Sequence, residues 1–388
     1  MISAGKQLSS LVTAAAVLIL VTGAEAVEKQ PLELNVSGLG IDLSSLDVGV
    51  SALGLLYALE EEDAPDDAEA RRQFDLAANL DLTWDLDQQF EFGIQLQMGP
   101  GGGTMGLVGP AVELTDYFIT WRDKEKLILT MGSFDLPFGE TTGRLTNNGD
   151  ASANSLLLNS LMYEALAGPM GTLNVIGFKQ TSRTDYFDVT TSLVNGTDEA
   201  AVNPDGNFGA SLRLTGHDKE RRINLSGSVV YSDDYENGHA AGVAAEWFGW
   251  LGELYLLYPS FEAGGYYGLM NFNNTDTGAD DIAVAVWMGE LVYRFDRAHV
   301  AVRASGWMPD TDGDALQLDY LETCSPGLAQ GEFVTDGELI RYQAGLGYSF
   351  TKHGMVRADV FYDDYMDEVL DEFSTDVIGA MIGVQVTR

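Results

Sequence analysis

A chain of 388 residues with 59 acidic against 21 basic side chains carries a formal charge of −38. That balance excludes DNA and RNA as partners, because their binding depends on lysine and arginine neutralising phosphates, and makes cations the natural counterpart. One cysteine, Cys324, forbids an internal disulfide, and with four scattered histidines it offers neither a nucleophile with its base nor a zinc site.

The first element is an expected export leader. Met1 to Lys6 supplies a short charged region, Leu11 to Val21 an apolar core and Ala24-Glu25-Ala26 a small-residue cleavage site. Residues 1–26 are therefore expected to be removed, leaving 27–388 as a single domain. No later stretch approaches the ~18 continuous apolar residues of a membrane helix, so any membrane span must be made of strands.

Alternation of apolar and polar residues then marks sixteen expected strands, the first at 47–57. A hairpin at 73–86 and 89–98 follows. In it Phe74, Leu76, Ala78, Leu80, Leu82, Trp84 and Leu86 alternate with Asp75, Asn79, Asp81, Thr83 and Asp85, and Phe90, Phe92, Ile94, Leu96 and Met98 alternate with Glu91, Gln95 and Gln97. Successive strand side chains point to opposite faces, so one face is apolar and the other wet. Further strands are expected at 111–122, 126–135, 172–180, 186–195, 207–216, 221–232, 240–249 and 251–260. The last five are expected at 281–295, 298–307, 338–351, 354–365 and 376–388.

The connections alternate long and short. Long ones are 58–72, 99–110, 136–171, 196–206, 233–239, 261–280, 308–337 and 366–375; short ones include Asp87-Gln88, Asp296-Arg297, Lys352-His353 and a bend at Gly249-Trp250. An even number of strands with every long loop at one end is the pattern of an outer-membrane barrel, whereas a soluble sandwich has no reason for it. Acids crowd the long loops, as in EEEDAPDDAEARR, while Lys124, Lys219, Arg221, Arg297 and Lys352 flank the short turns. The loop-bearing mouth is expected to be strongly negative.

In hydrocarbon every backbone group must be hydrogen-bonded, which strands achieve only in a closed barrel. If the apolar face meets lipid, the polar face lines a lumen; the reverse would place each arginine in lipid at about 2–4 kcal/mol near the midplane. Expected lumen residues are Asp75, Asp81, Asp85, Glu91, Arg303, Arg341 and Arg357. The segments AAGVAAEWFGWLGELYLLYP and DIAVAVWMGELVYRF are apolar on both faces, which points to packing against an inserted loop or a partner subunit.

The fifth strand runs into LILTMGSFDLPFGETTGRLTNNGD, residues 127–150, ahead of the longest connection. Here the sequence resembles the outer-membrane porins of the phosphate-selective and related general type, in which a strand ending glycine-aromatic-x-x-Pro-Phe-Gly leads into a constriction loop. The matching residues are Gly132, Phe134, Pro137, Phe138 and Gly139. The resemblance implies a sixteen-stranded transmembrane antiparallel β-barrel in the outer membrane of a Gram-negative bacterium, assembled as a homotrimer, with this loop folded inward. Candidate constriction residues are then Glu140, Arg144, Asn147, Asn148, Asp150 and Asn154.

An anion filter needs rings of arginine or lysine, and the cleanest expected lumen strands carry acids instead, so phosphate selectivity is not carried over. The expectation is a passive, weakly cation-preferring channel for small hydrophilic solutes, embedded in outer-membrane lipid, with no cofactor and no catalytic residues. From another class comes an alternative: a structural barrel that sheathes a partner such as a multihaem cytochrome.

Other motifs are set aside. Asp310, Asp312 and Asp314 occupy the first, third and fifth places of a calcium-type loop, but Ala315 stands where glycine is needed and Leu321 where glutamate is needed. GPGGGTMG at 99–106 lacks the lysine and hydroxyl end of a phosphate-binding loop. Tyr117, Trp121, Tyr231, Tyr348, Tyr362 and Tyr365 fall near strand ends, as interfacial girdles do.

Overall fold

Strands with one apolar face can hide that face or turn it to lipid, and here the sheet closes so that no edge is left to pair with another chain. The structure, a computed structural model, describes residues 46–61, 71–86, 89–100, 110–124, 126–139, 156–157, 174–195, 208–233, 245–274, 282–310, 316–317, 333–334, 338–351, 354–366 and 377–387. The expected leader, Cys324, the acids 312 and 314 and the glycine-rich run 101–106 lie outside these. Contacts divide the chain into Met1–Asp47 and Val48–Arg388, and apart from the first two residues of its first strand the barrel wall belongs to the second unit.

In chain order the wall consists of β1 (Leu46–Glu61), β2 (Arg71–Asp85), β3 (Phe90–Pro100), β4 (Pro110–Asp123), β5 (Leu127–Asp135), β6 (Asn174–Arg183), β7 (Phe187–Val194) and β8 (Gly209–His217). It continues with β9 (Ile223–Ser232), β10 (Ala245–Tyr258), β11 (Phe261–Asn274), β12 (Ile282–Phe295) and β13 (Ala298–Asp310). A two-stranded ribbon, β14 (Leu316–Gln317) with β15 (Phe333–Val334), sits in the next connection, before β16 (Glu338–Thr351), β17 (Gly354–Met366) and β18 (Val377–Thr387). The sixteen wall strands form one closed antiparallel barrel in which β18 returns to β1, from Ser51 opposite Thr387 to Glu61 opposite Val377.

The two faces separate as the alternation requires. On β9, Leu225 is 64% exposed while its neighbours Asn224 and Ser226 are 7% and 5%. On β16, Tyr342, Leu346 and Tyr348 are exposed outside, and Arg341 and Gln343 are buried inside. The outer surface is thus apolar, as a bilayer demands, and Phe90, Phe187, Tyr258, Phe261, Tyr293, Phe295, Tyr348 and Phe350 ring it near the short turns. Three of those turns are completed by non-glycine residues with positive φ, Lys124, Arg221 and Asp296.

One expected stretch is corrected. The segments 240–249 and 251–260 are not two strands bent at Gly249-Trp250 but the single strand β10, and the strand they displaced is β11, in what was expected to be the loop 261–280. The short turn is Pro259-Ser260. The total of sixteen survives because one strand was split and one overlooked. β11, FEAGGYYGLMNFNN, carries no clean alternation because its inward residues include Tyr266 and Met270, as apolar as the outward Tyr267. The cause lies inside the barrel.

Candidate functional site

The interior is built from the inward members of each strand, and two regions differ in chemistry. Along β4 to β9 the inner wall is a field of hydroxyls joined across strands: Thr120 to Thr130 at 3.2 Å, Thr181 to Thr190 at 3.2 Å, Ser192 to Ser211 at 2.8 Å and Thr215 to Ser226 at 3.0 Å. Short polar side chains on facing positions satisfy one another without charge. Along β10 to β12 most of the buried inward side chains are instead apolar: Trp247, Leu251, Tyr255, Tyr266, Met270, Val284, Val286, Met288 and Val292.

Against Trp247 and Gly249 of that apolar wall lies the chain leaving β5. Gly132 has φ +127°, where a Cβ would run into the Tyr117 carbonyl, so only glycine fits there. Past Phe134 and Asp135, Leu136 and Phe138 are wholly buried, and Phe138 meets Trp247 edge-on, 5.8 Å between ring centres at 88°. Gly249 gives Phe138 its seat, since a Cβ there would stand 3.1 Å from Phe138, Trp247 and Val230 alike. Gly139, at φ +91°, donates its N–H to Ser228 Oγ at 3.3 Å. The stretch from Gly132 to Gly139 is thus the device that turns the chain from the wall into the interior. Apolar residues on both faces of β10 follow directly: one face meets lipid and the other, at Trp247 and Gly249, meets this insertion.

The chain is next described at Leu156-Leu157, against a different part of the wall. Leu156 packs with Val292 and Ala301, the Leu157 N–H donates to Asp359 Oδ2, and Arg357 Nη1 donates to the Leu156 carbonyl at 3.4 Å. The candidate constriction residues Glu140, Arg144, Asn147, Asn148, Asp150 and Asn154 fall between these two contacts and lie outside the described residues.

The expected lumen residues are placed as follows. Asp75 lies on β2, its side chain outside the described set. Asp81 is hydrogen-bonded to Gln95. Asp85 is exposed at the end of β2, and Glu91 accepts from Arg122 Nη2 at 2.9 Å. Arg303 donates from Nε to Glu290 at 2.9 Å, and Arg341 clasps Asp363. Arg357 also donates from Nη2 to Gln385 at 2.6 Å. Arg213, closer to the hydroxyl wall, reaches Glu253 at 3.1 Å.

Sequence reading therefore found the arginines but missed the partners that define them: Glu253, Glu290, Asp359, Asp363 and Gln385. The partners sit on a neighbouring strand, opposite the inserted chain or, for Glu253 on β10 and Arg213 on β8, two strands away, and only the register brings them into reach; Glu290 faces Arg303 and Asp363 faces Arg341 directly. In the described interior Arg213, Arg303 and Arg341 are consequently each paired with a carboxylate. Among the described residues no cluster of His, Cys, Asp and Glu is arranged to hold a metal.

A closed sixteen-stranded barrel, apolar outside, polar in part within and entered by the chain after its fifth strand, is the transmembrane β-barrel of the outer-membrane porin type. Solved structures bear this out at the level of fold. The anion-selective porin of Comamonas acidovorans superimposes with a TM-score of 0.62 at 10% identity, over 89% of this chain and 99% of that one. The outer-membrane channel DcaP of Acinetobacter baumannii gives 0.57 at 11% identity, over 88% and 96%. OmpT of Vibrio cholerae in a trimer form gives 0.56 at 10% identity, over 89% and 100%. No protein-family model matches the sequence, and no curated protein matches it.

Proposed function

We propose that the protein is an outer-membrane diffusion porin, a passive water-filled channel for small hydrophilic solutes and ions that performs no chemistry. The observation that carries this reading is the entry of Leu136, Phe138, Leu156 and Leu157 into a barrel of sixteen strands. A barrel of that size is too wide to be filled by its own wall side chains, and chain laid across it narrows the passage without closing the wall. In this reading residues 1–26 direct export, 27–388 form the barrel, and Glu140, Arg144, Asn147, Asn148, Asp150 and Asn154 face the narrowed path. Asp75, Asp81, Asp85, Glu91, Arg303, Arg341 and Arg357 belong to the lining around it. Three such barrels would associate, an arrangement favoured by the trimer form of a structural neighbour.

The channel would prefer cations weakly. The chain's charge is −38, and the interior arginines Arg213, Arg303 and Arg341 each meet a carboxylate, which cancels the field an anion filter would need. Reconstitution in planar bilayers under a salt gradient tests both levels of the reading. Stepwise conductance with a reversal potential on the cation side is expected. A reversal potential on the anion side would reject the preference alone, and absence of conductance steps would reject the channel.

A further inference from the structure

Among the described residues the inward chain touches the wall at two places, and they are built differently. At the first, Phe138 is held by shape among Gly249, Trp247 and Val230. At the second, Leu156-Leu157 is held by two polar side chains of the wall. Arg357 and Asp359 are both 3% exposed, alternate members of the inner face of β17, and both spend hydrogen bonds on the backbone of the inserted chain. Asp359 accepts from the Leu157 N–H; Arg357 donates to the Leu156 carbonyl. One peptide segment is thereby gripped from both its donor and its acceptor side.

The wall makes room for this grip at Gly345, which faces Asp359 across the β16 to β17 pairing. A Cβ at Gly345 would overlap the Asp359 carboxylate and stand 2.6 Å from Leu156 Cδ2, so any larger residue would expel one of them. Arg357 is held from its other side by Gln385 on β18, at 2.6 Å, which fixes the guanidinium where the Leu156 carbonyl can reach it. A buried carboxylate is costly unless charge and hydrogen bonds meet it, and here the hydrogen bond shown, to Oδ2, comes from the loop amide of Leu157, with Arg357 two residues away on the same face. Carboxylate, guanidinium and glycine seat make sense together only if the inserted chain is to be fixed at this point.

We infer that Asp359, supported by Arg357 and seated against Gly345, is a positioning residue of the channel: it latches the returning limb of the inserted chain to β17 and so sets the pore's cross-section. This rests on the porin reading above. The two latch contacts lie six strands round the barrel from the chain's point of entry, on β17 against β5, so releasing them frees one end of the constriction while Phe138 retains the other. The prediction is a wider, noisier pore in an intact barrel.

The test uses the full chain with Cys324→Ser, reconstituted in planar bilayers, and the pair Leu157→Cys with Asp359→Cys. Oxidised, the pair replaces the latch by a covalent bond; reduced, it removes the latch, because a thiol is a poor acceptor. Expected results are spontaneous cross-linking, conductance near that of the Cys324→Ser protein when oxidised, and a rise of about twofold or more on reduction, with larger polyethylene glycols admitted. Asp359→Ala should behave as the reduced pair, and Asp359→Asn, which keeps an oxygen acceptor, should stay close to the parent. Heat-modifiable migration on gels checks that each barrel is folded. Cross-linking without a redox-dependent conductance overturns the inference, as does failure of a folded pair to cross-link. If the pair cross-links but neither it nor the Cys324→Ser parent ever conducts, the porin reading falls, and with it the positioning role, while the contact itself stands established.

Discussion

Arg341 donates from Nε and from Nη2 to the two carboxylate oxygens of Asp363, each at 2.6 Å, with both side chains shut off from solvent. The residues face each other across β16 and β17, so the fork of the guanidinium meets the carboxylate without distortion of either strand. Arg341 also lies with its guanidinium carbon 5.3 Å from the Phe361 ring centre. Breaking one side of such a pair strands the other charge. Arg341→Ala or Asp363→Ala is therefore expected to cost about 3–5 kcal/mol, and the double replacement Arg341→Met with Asp363→Leu far less. Urea unfolding of the refolded barrel in detergent or lipid checks this, and equal losses for the single and double variants would contradict it.

Phe138 supplies a prediction of a different origin, since its anchoring is packing alone. Phe138→Ala should destabilise the barrel by about 3–5 kcal/mol, as truncating a fully buried aromatic does. Gly249→Val should mimic part of that loss, because its side chain must enter the space that Phe138 occupies. In a Phe138→Ala background Gly249→Val should then cost much less than it does alone, the mark of two residues sharing one site. Thermal unfolding of the four proteins in one cycle gives the coupling directly.

How much of this was legible in the sequence depends on what each strand faces. The hairpin of β2 and β3 and strands β9, β16 and β17 read clearly, because their inner residues are polar and the period of two survives. β10 and β11 did not, because the inner face there carries the buried Trp247, Leu251, Tyr266 and Met270, with Trp247 receiving Phe138. Gly249 suggested a bend and is a seat for a ring. The turn of the chain into the interior could be read from Gly132, Pro137 and Gly139. Its second attachment could not: Leu157 and Asp359 are 202 residues apart, and nothing local in SLLLNS marks the leucines as buried in a lumen. Ion pairing was hidden for a related reason. The arginines were visible as residue types, but their partners depend on register, and register follows from strand boundaries.

The turn between β8 and β9 predicts a pH dependence. Asp218 accepts from the Ile223 N–H at 2.8 Å and from the Arg222 N–H at 2.5 Å, which holds its carboxyl below the usual carboxylate range, the Ile223 bond contributing most. His217, Arg221 and Arg222 are its near neighbours; Arg221 is itself engaged with Asp188 at 2.6 Å. A folded-state pKa below the unfolded one gives stability that is complete above the unfolded value, about pH 4, and is lost as pH falls through the folded value. Acidification from pH 5 should therefore loosen this turn, and Asp218→Asn should remove that part of the acid dependence. Hydrogen exchange of the Arg222 and Ile223 amides across this range is the measurement, and identical pH profiles for the two proteins would count against the assignment.

The last prediction tests which side of the wall meets lipid. Val360 is 56% exposed at the middle of β17, immediately beside the buried Asp359 of the inner face. Neighbouring residues of one strand thus occupy opposite solvents, and an arginine at 360 would enter hydrocarbon near its midplane at about 2–4 kcal/mol. The same substitution at Phe350, near the short turns, should cost about 0–1 kcal/mol, because there the side chain can reach the headgroups. The depth dependence separates lipid from other apolar surroundings. Were the outer face of β17 covered by protein, Val360→Arg would be costly in detergent and bilayer alike and Phe350→Arg would not follow depth. Equilibrium folding of Val360→Arg and Phe350→Arg into bilayers of two hydrocarbon thicknesses should show the penalty at 360 persisting in both. At 350 it should appear only as the thicker bilayer carries hydrocarbon towards the rim.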